Sequence, residues 1–117
     1  MYELFPVKVF RTGEAGVKLD GDRNLVRAQE TNLANLVTDG MRAKTGAEIA
    51  FQNGGGIRAS IEAGDVTVGD VLTVLPFGNL ISTFELTGAE VIEALENGVS
   101  RAAPEVSPEL AEGSFPV

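Results

Sequence analysis

Neither cysteine nor histidine occurs in the 117 residues of this chain, and the two absences together close off a large part of protein chemistry. Disulfides, thiolate nucleophiles, imidazole bases and the commonest zinc ligands are all excluded. No apolar stretch reaches the roughly 18 residues needed to cross a bilayer, and the N-terminus lacks the basic-then-apolar order of a signal peptide. A soluble chain with no membrane partner and no leader is therefore expected. Basic residues are also scarce: nine Lys and Arg stand against seventeen Asp and Glu, a net charge of −8. Such a surface repels a nucleic-acid polymer on average, so none is expected as a partner. A small phosphorylated ligand is different, because two or three arginines converging on one pocket override distant negative charge.

What remains fits one globular domain, with 44% hydrophobic and 22% charged residues. A domain of about 100–150 residues buries roughly two-thirds of its unfolded surface, so a core forms without covalent staples. Residues 1–23 mix β-prone pieces such as Val7-Lys8-Val9-Phe10 with Gly13, Gly16 and Gly21, which predicts an extended opening segment with turns. From Glu30 to Thr45, Leu33, Leu36, Val37 and Met41 recur at helical spacing, and Gly46 is placed to end that helix. Residues 47–51 read as a short strand running into Asn53-Gly54-Gly55-Gly56. The apolar run from Thr67 to Leu75 fits a short helix or a buried strand, and Pro76 stops it. Residues 79–86 place Leu80, Ser82, Phe84 and Leu86 on one face and read as a strand. Thr87-Gly88-Ala89-Glu90 has the form of a capping box, and Val91, Ile92, Leu95 and Val99 then mark a helix of about three turns.

Asn53-Gly54-Gly55-Gly56-Ile57-Arg58 is the most unusual stretch. Successive glycines let backbone approach a ligand while N–H groups stay available to donate. By spacing alone a flexible turn beside an exposed arginine is the favoured reading, and the stretch matches neither a Walker loop nor a dinucleotide fingerprint. Arg27, just ahead of the first long helix, reads as a cleft residue or a solvated surface arginine. Phe77, between Pro76 and Gly78, reads as a stacking platform for a base or a core phenylalanine. Asp39, Asp65 and Asp70 are taken as turn and cap residues rather than metal ligands.

In combination these segments are more specific. The Thr31–Asp39 stretch, Asn53–Arg58, Gly69–Asn79 with its Leu-Pro-Phe-Gly, and Glu85-Leu86-Thr87-Gly88 resemble, in order and spacing, the C-terminal domain of the 5′-nucleotidase family, over about Leu19 to Arg101. The resemblance implies an α/β fold, an incomplete form of that domain with a mixed sheet and at least two helices. It divides the chain into an opening segment at 1–23, a nucleotide-binding core at 24–101 and a proline-rich acidic tail at 102–117. It implies no catalytic or metal residue here, and a substrate site of Arg27, Asn53, Gly54, Gly55, Arg58 and Phe77. In that site Asn53 meets the base, Phe77 stacks on it, and Arg58 and Arg27 meet the phosphate and ribose side.

By the same resemblance, the two divalent metal ions belong to a separate N-terminal metallophosphoesterase domain, and the parent protein is periplasmic or extracellular. A second stacking aromatic is expected from a downstream segment that this sequence lacks. The chain alone is then expected to bind a nucleotide or nucleoside without hydrolysing it, as a specificity domain or as a stand-alone binding module. A domain cut in this way also predicts an exposed sheet edge. Homodimerisation through that edge is one outcome, and folding back of residues 1–12 onto it is the other.

Overall fold

The computed structural model describes residues 10–100. Strand β1 (Arg11–Ala15) leads to a short helix α1 (Arg23–Val26), the long helix α2 (Asn32–Thr45) and a single 3₁₀ turn at Gly54–Gly56. Strand β2 (Gly64–Thr67), helix α3 (Val68–Val74) and helix α4 (Gly88–Val99) complete the order. The architecture is α/β, with the two strands paired antiparallel and Leu19 bridging Ile61 beside them. Of the opening segment, the described part therefore folds back within its own chain. Thr12 is the extra residue of a bulge between Arg11 and Gly13, and its hydroxyl donates to the Val66 carbonyl at 3.1 Å.

The helices begin where short polar side chains satisfy their first N–H groups. Thr31 accepts from the Ala34 N–H ahead of α2, and Gly46 closes that helix with φ 75°, a left-handed conformation suited to glycine. Thr67 with Asp70 and Thr87 with Glu90 form reciprocal capping boxes on α3 and α4. The run from Thr67 to Leu75 is thus a helix and not a strand. Hydrogen bonds from Thr87 hold the Glu90 carboxyl below its usual range. That stabilisation is complete above the ordinary glutamate pKa and is lost as the pH falls through the depressed folded value.

The core is small. Val26, Leu33, Ala34, Ile57, Ile61 and Val74 are buried together, with Leu19, Val37, Ala59 and Val66 packed against them. It is closed by backbone as much as by side chains: a methyl group on Gly21 would lie 2.7 Å from the Ala59 carbonyl carbon and 2.9 Å from Leu33 Cδ2. The Gly21 N–H donates to Ser60 Oγ at 2.9 Å, which fixes this close crossing.

Two segments that read as strands, 47–51 and 79–86, are not strands among the described residues. A strand is a paired ladder, and within that range no backbone hydrogen bond joins either segment to a neighbour. Both line a cavity of about 520 Å³, where Ile49, Phe51, Ile81 and Phe84 supply apolar wall. The surface around it is strongly apolar: Leu80 is 93% and Phe84 72% exposed, and α4 buries none of its residues. The proline-rich tail lies outside the described residues.

Two glycines should respond in opposite directions. Gly21→Ala is expected to destabilise the fold by about 1–3 kcal/mol, because Ala59 backbone and Leu33 must move. Gly40→Ala, inside α2 with nothing within 4 Å of the added methyl, is expected to stabilise by about 0.5–1 kcal/mol. Urea denaturation of the two variants reads both signs, and a Gly21→Ala protein as stable as the parent would contradict the close packing.

Candidate functional site

The Gly54–Gly56 turn is held at both ends. Gly56 N–H donates to the Asn53 carbonyl at 2.9 Å and Ile57 N–H to the Gly54 carbonyl at 3.1 Å, so the chain closes one 3₁₀ turn before Ile57 enters the core. Glycine at position 56 leaves room for two side chains, since a Cβ there would lie 2.5 Å from Gln52 Nε2 and 3.0 Å from Asn53 Oδ1. The Arg58 N–H then donates to the Val74 carbonyl at 2.9 Å, which joins the exit of the turn to the last residue of α3.

That hydrogen bond sets up the side-chain contact at the centre of the site. Three residues beyond Val74, Phe77 sits in a turn that Gly78 completes with φ 62°. Phe77 is 57% exposed rather than buried, and Arg58 Cζ lies 5.6 Å from the ring centroid. The same guanidinium donates from Nη1 to the Gly55 carbonyl at 3.1 Å. Arg58 is therefore fixed between the glycine turn and the aromatic. Phe77 and Gly78 also line a cleft of about 390 Å³ that runs between α2 and the glycine turn, with Leu36, Gly40, Gln52 and Gly56 on its other walls.

Helix α1 packs on the 3₁₀ turn and brings further positive charge to it. Asp22 caps α1 by accepting from the Asn24 N–H at 2.8 Å, and Arg27 closes it. The Arg27 pKa is lowered, first by partial burial and then by the positive charges of Arg23 and Arg58. An arginine stays protonated regardless, so the meaning of the shift is electrostatic. Arg27 thus has a second guanidinium within electrostatic range on its own helix and a third at the exit of the glycine turn.

Of the six residues expected at the site, Gly55, Arg58 and Phe77 are in direct contact, and Arg27 lies within electrostatic reach of Arg58. Gly54 is buried as the first residue of the turn. Asn53 Oδ1 accepts from Gln52 Nε2 at 3.1 Å, and no hydrogen bond among the described residues joins Asn53 to Arg58. Arg23 and Gln52 are additions that the sequence reading does not contain. A signal for Arg23 is present, since Asp22 followed by arginines four apart places both on one face of a capped helix. The three aspartates set aside as structural have structural partners: Asp70 caps α3, Asp65 pairs with Arg11 at 2.8 Å and Asp39 with Arg42 at 3.6 Å.

A double-mutant cycle between Arg58→Met and Phe77→Leu tests the central contact. Its coupling energy is expected at about 0.5–1 kcal/mol in urea denaturation, the range of an exposed cation–π pair. Additive single mutants would show that the two groups are merely neighbours.

A family model described as "5'-nucleotidase, C-terminal domain" matches residues 11–114. The chain is 49% identical, over 97% of its length, to a trifunctional nucleotide phosphoesterase protein, YfkN, of Bacillus subtilis, and covers 8% of that protein. It is 42% identical to the protein UshA of Escherichia coli over 90% of this chain and 19% of UshA. The solved structure of a 5′-nucleotidase precursor from Thermus thermophilus superposes with a TM-score of 0.86 at 48% identity, over 97% of this chain and 22% of that one. The chain thus spans less than a quarter of each of these relatives.

Proposed function

This chain belongs to the family of 5′-nucleotidase C-terminal domains, and from that premise we propose that it grips the nucleotide of a two-domain phosphohydrolase whose chemistry is done elsewhere. The observation that carries the reading is the fixed Arg58, held over the Phe77 ring and against the Gly55 carbonyl, with Arg27 and Arg23 adding charge nearby. A base plane and an anionic group are the two features that nucleotides of every kind share. Phe77 offers open ring surface to the first, and the arginines offer charge to the second. Nucleoside monophosphates, nucleotide sugars, dinucleotides and cyclic nucleotides all meet that description.

A pair of divalent metals supplies hydroxide and clamps the in-line displacement in phosphoester hydrolysis. The residues here do not fit that group. The sequence has no His or Cys, and among the described residues no three Asp or Glu side chains converge. No hydrolytic step is assigned to this chain. Its role is to bind, orient and select, with a metallophosphoesterase domain as its partner in the parent protein. An exported parent, periplasmic or extracellular, follows from the kinship alone. Among the described residues no helix is long and apolar enough to cross a membrane.

Calorimetric titration separates the two halves of the site. AMP is expected to bind more tightly than adenosine, with an advantage that falls as salt rises and disappears in Arg58→Ala. Phe77→Ala is expected to weaken both ligands by about 1–3 kcal/mol, the worth of one stacked base. Affinity overall should be weaker than micromolar, because the described residues place one ring at the site, and no phosphate should be released on adding divalent metal. Equal binding of AMP and adenosine would overturn the assignment of the arginines, and binding untouched by Phe77→Ala that of the ring.

A further inference from the structure

The sequence contains two Asn-Gly pairs, Asn53-Gly54 at the candidate site and Asn97-Gly98 in α4, and the structure holds them very differently. We propose that Asn53 is a site of spontaneous self-modification, where the Gly54 backbone nitrogen closes on the asparagine side chain and converts it to aspartate and isoaspartate, while Asn97 is spared. In this reaction the Gly54 nitrogen loses its proton and forms a bond to Asn53 Cγ. The Cγ–Nδ2 bond breaks, ammonia leaves with the proton, and a five-membered succinimide remains. Water then adds to one of the two imide carbonyls: opening at one side gives aspartate, and at the other isoaspartate. No oxidant or enzyme enters the balance.

The Asn53 side chain is exposed, so water reaches the carbon under attack, while Gly54 is buried and its nitrogen meets base when the short turn opens. The attacking nitrogen belongs to a residue with no Cβ, which removes the steric block that any other neighbour would impose. Gln52 Nε2 donates to Asn53 Oδ1 at 3.1 Å, which draws electron density from the carbon under attack. Asn53 precedes the 3₁₀ turn with φ −71° and ψ 131°, and its side chain makes no capping hydrogen bond there. The Gly54 N–H opens the turn, ahead of its first internal hydrogen bonds. Swinging the Gly54 nitrogen towards Cγ is a rotation about ψ of Asn53 that disturbs the single β-bridge position at Asn53 and one short turn of poor hydrogen-bond geometry.

At Asn97 the same rotation must break a helix. Gly98 lies in the last turn of α4, where its nitrogen is committed to the i→i−4 ladder. The Asn97 carbonyl is tied as well, accepting from the Ser100 N–H at 3.2 Å and the Ser100 hydroxyl at 2.7 Å. Both residues have the same reactive dipeptide, so the difference between them is structural.

The consequence at the site is a new carboxylate, or an added backbone methylene, at the start of the turn whose Gly55 carbonyl holds Arg58. A loss of anion binding on ageing rests on the nucleotide reading. The modification does not, because mass alone reads it.

The test is incubation of the folded chain at mildly alkaline pH in ¹⁸O-labelled water, followed by peptide mapping with mass spectrometry. Asn53 is expected to acquire a labelled carboxylate oxygen and to split into aspartyl and isoaspartyl forms, at a rate roughly tenfold or more above that of Asn97, reflecting the helix opening that Asn97 requires. In concentrated urea the two rates should converge. Equal rates in the folded protein, or an Asn53 that reacts in urea but not when folded, would overturn the proposal. Loss of AMP binding that fails to follow labelled conversion would count against the nucleotide reading and leave the modification standing.

Discussion

One backbone hydrogen bond, from the Arg58 N–H to the Val74 carbonyl, determines the rest of the site. It ties two segments that are far apart in sequence, the exit of a glycine turn and the end of α3, at a point where Ile57 and Val74 are both in the core. Burial of these two side chains excludes water from around the bond, so breaking it leaves polar groups poorly solvated. From that anchor the chain needs only three residues to reach Phe77, and the Gly78 turn leaves the ring facing the Arg58 guanidinium. The site is thus built as an outgrowth of the core. Its two reporting groups are exposed, but the backbone that carries each of them is not free to move.

Stability is distributed unevenly around this anchor. On one side Leu33, Ala34 and Val26 pack beneath α2 and α1, and the glycine crossing at position 21 admits no added atom. On the other, residues 79–86 and α4 present Leu80, Phe84 and Ile92 to solvent. The candidate cleft lies on the border, with α2 for one wall and the Phe77 turn for the other. Undocking therefore costs least on the α4 side, where the helix still keeps its own hydrogen-bond ladder and capping box, and the arginines sit on the better-packed side, with α1 against the 3₁₀ turn.

Sequence and structure agree best where the determining interactions are local. Thr31, Thr67 and Thr87 announce their helices because a cap is satisfied within three residues, and Gly46 ends α2 because the left-handed conformation is a property of one residue. The strands expected at 47–51 and 79–86 fail for the complementary reason. Alternation of apolar residues marks a face that wants burial, but a ladder depends on a partner that the segment itself does not encode. The site shows the same division. Spacing leaves Arg58 and Phe77 each with a bland alternative, and kinship to a family joins them; only the fold shows the contact. Arg23 is readable as the partner of Arg27 on one helical face once Asp22 is taken as a cap. Asn53 is expected at the ligand, and the contact its Oδ1 accepts from Gln52 is one that spacing does not announce.

The claim that this junction of turn, arginine and ring is where a nucleotide sits is most directly tested by mapping amide chemical shifts during titration with AMP. The account predicts that the largest changes fall on Gly55, Arg58, Phe77 and Gly78, with a smaller response at Arg27. The competing location is the larger apolar cavity between 47–51 and 81–86. Shifts concentrated on Ile49, Phe51 and Phe84, with Arg58 and Phe77 unmoved, would contradict it.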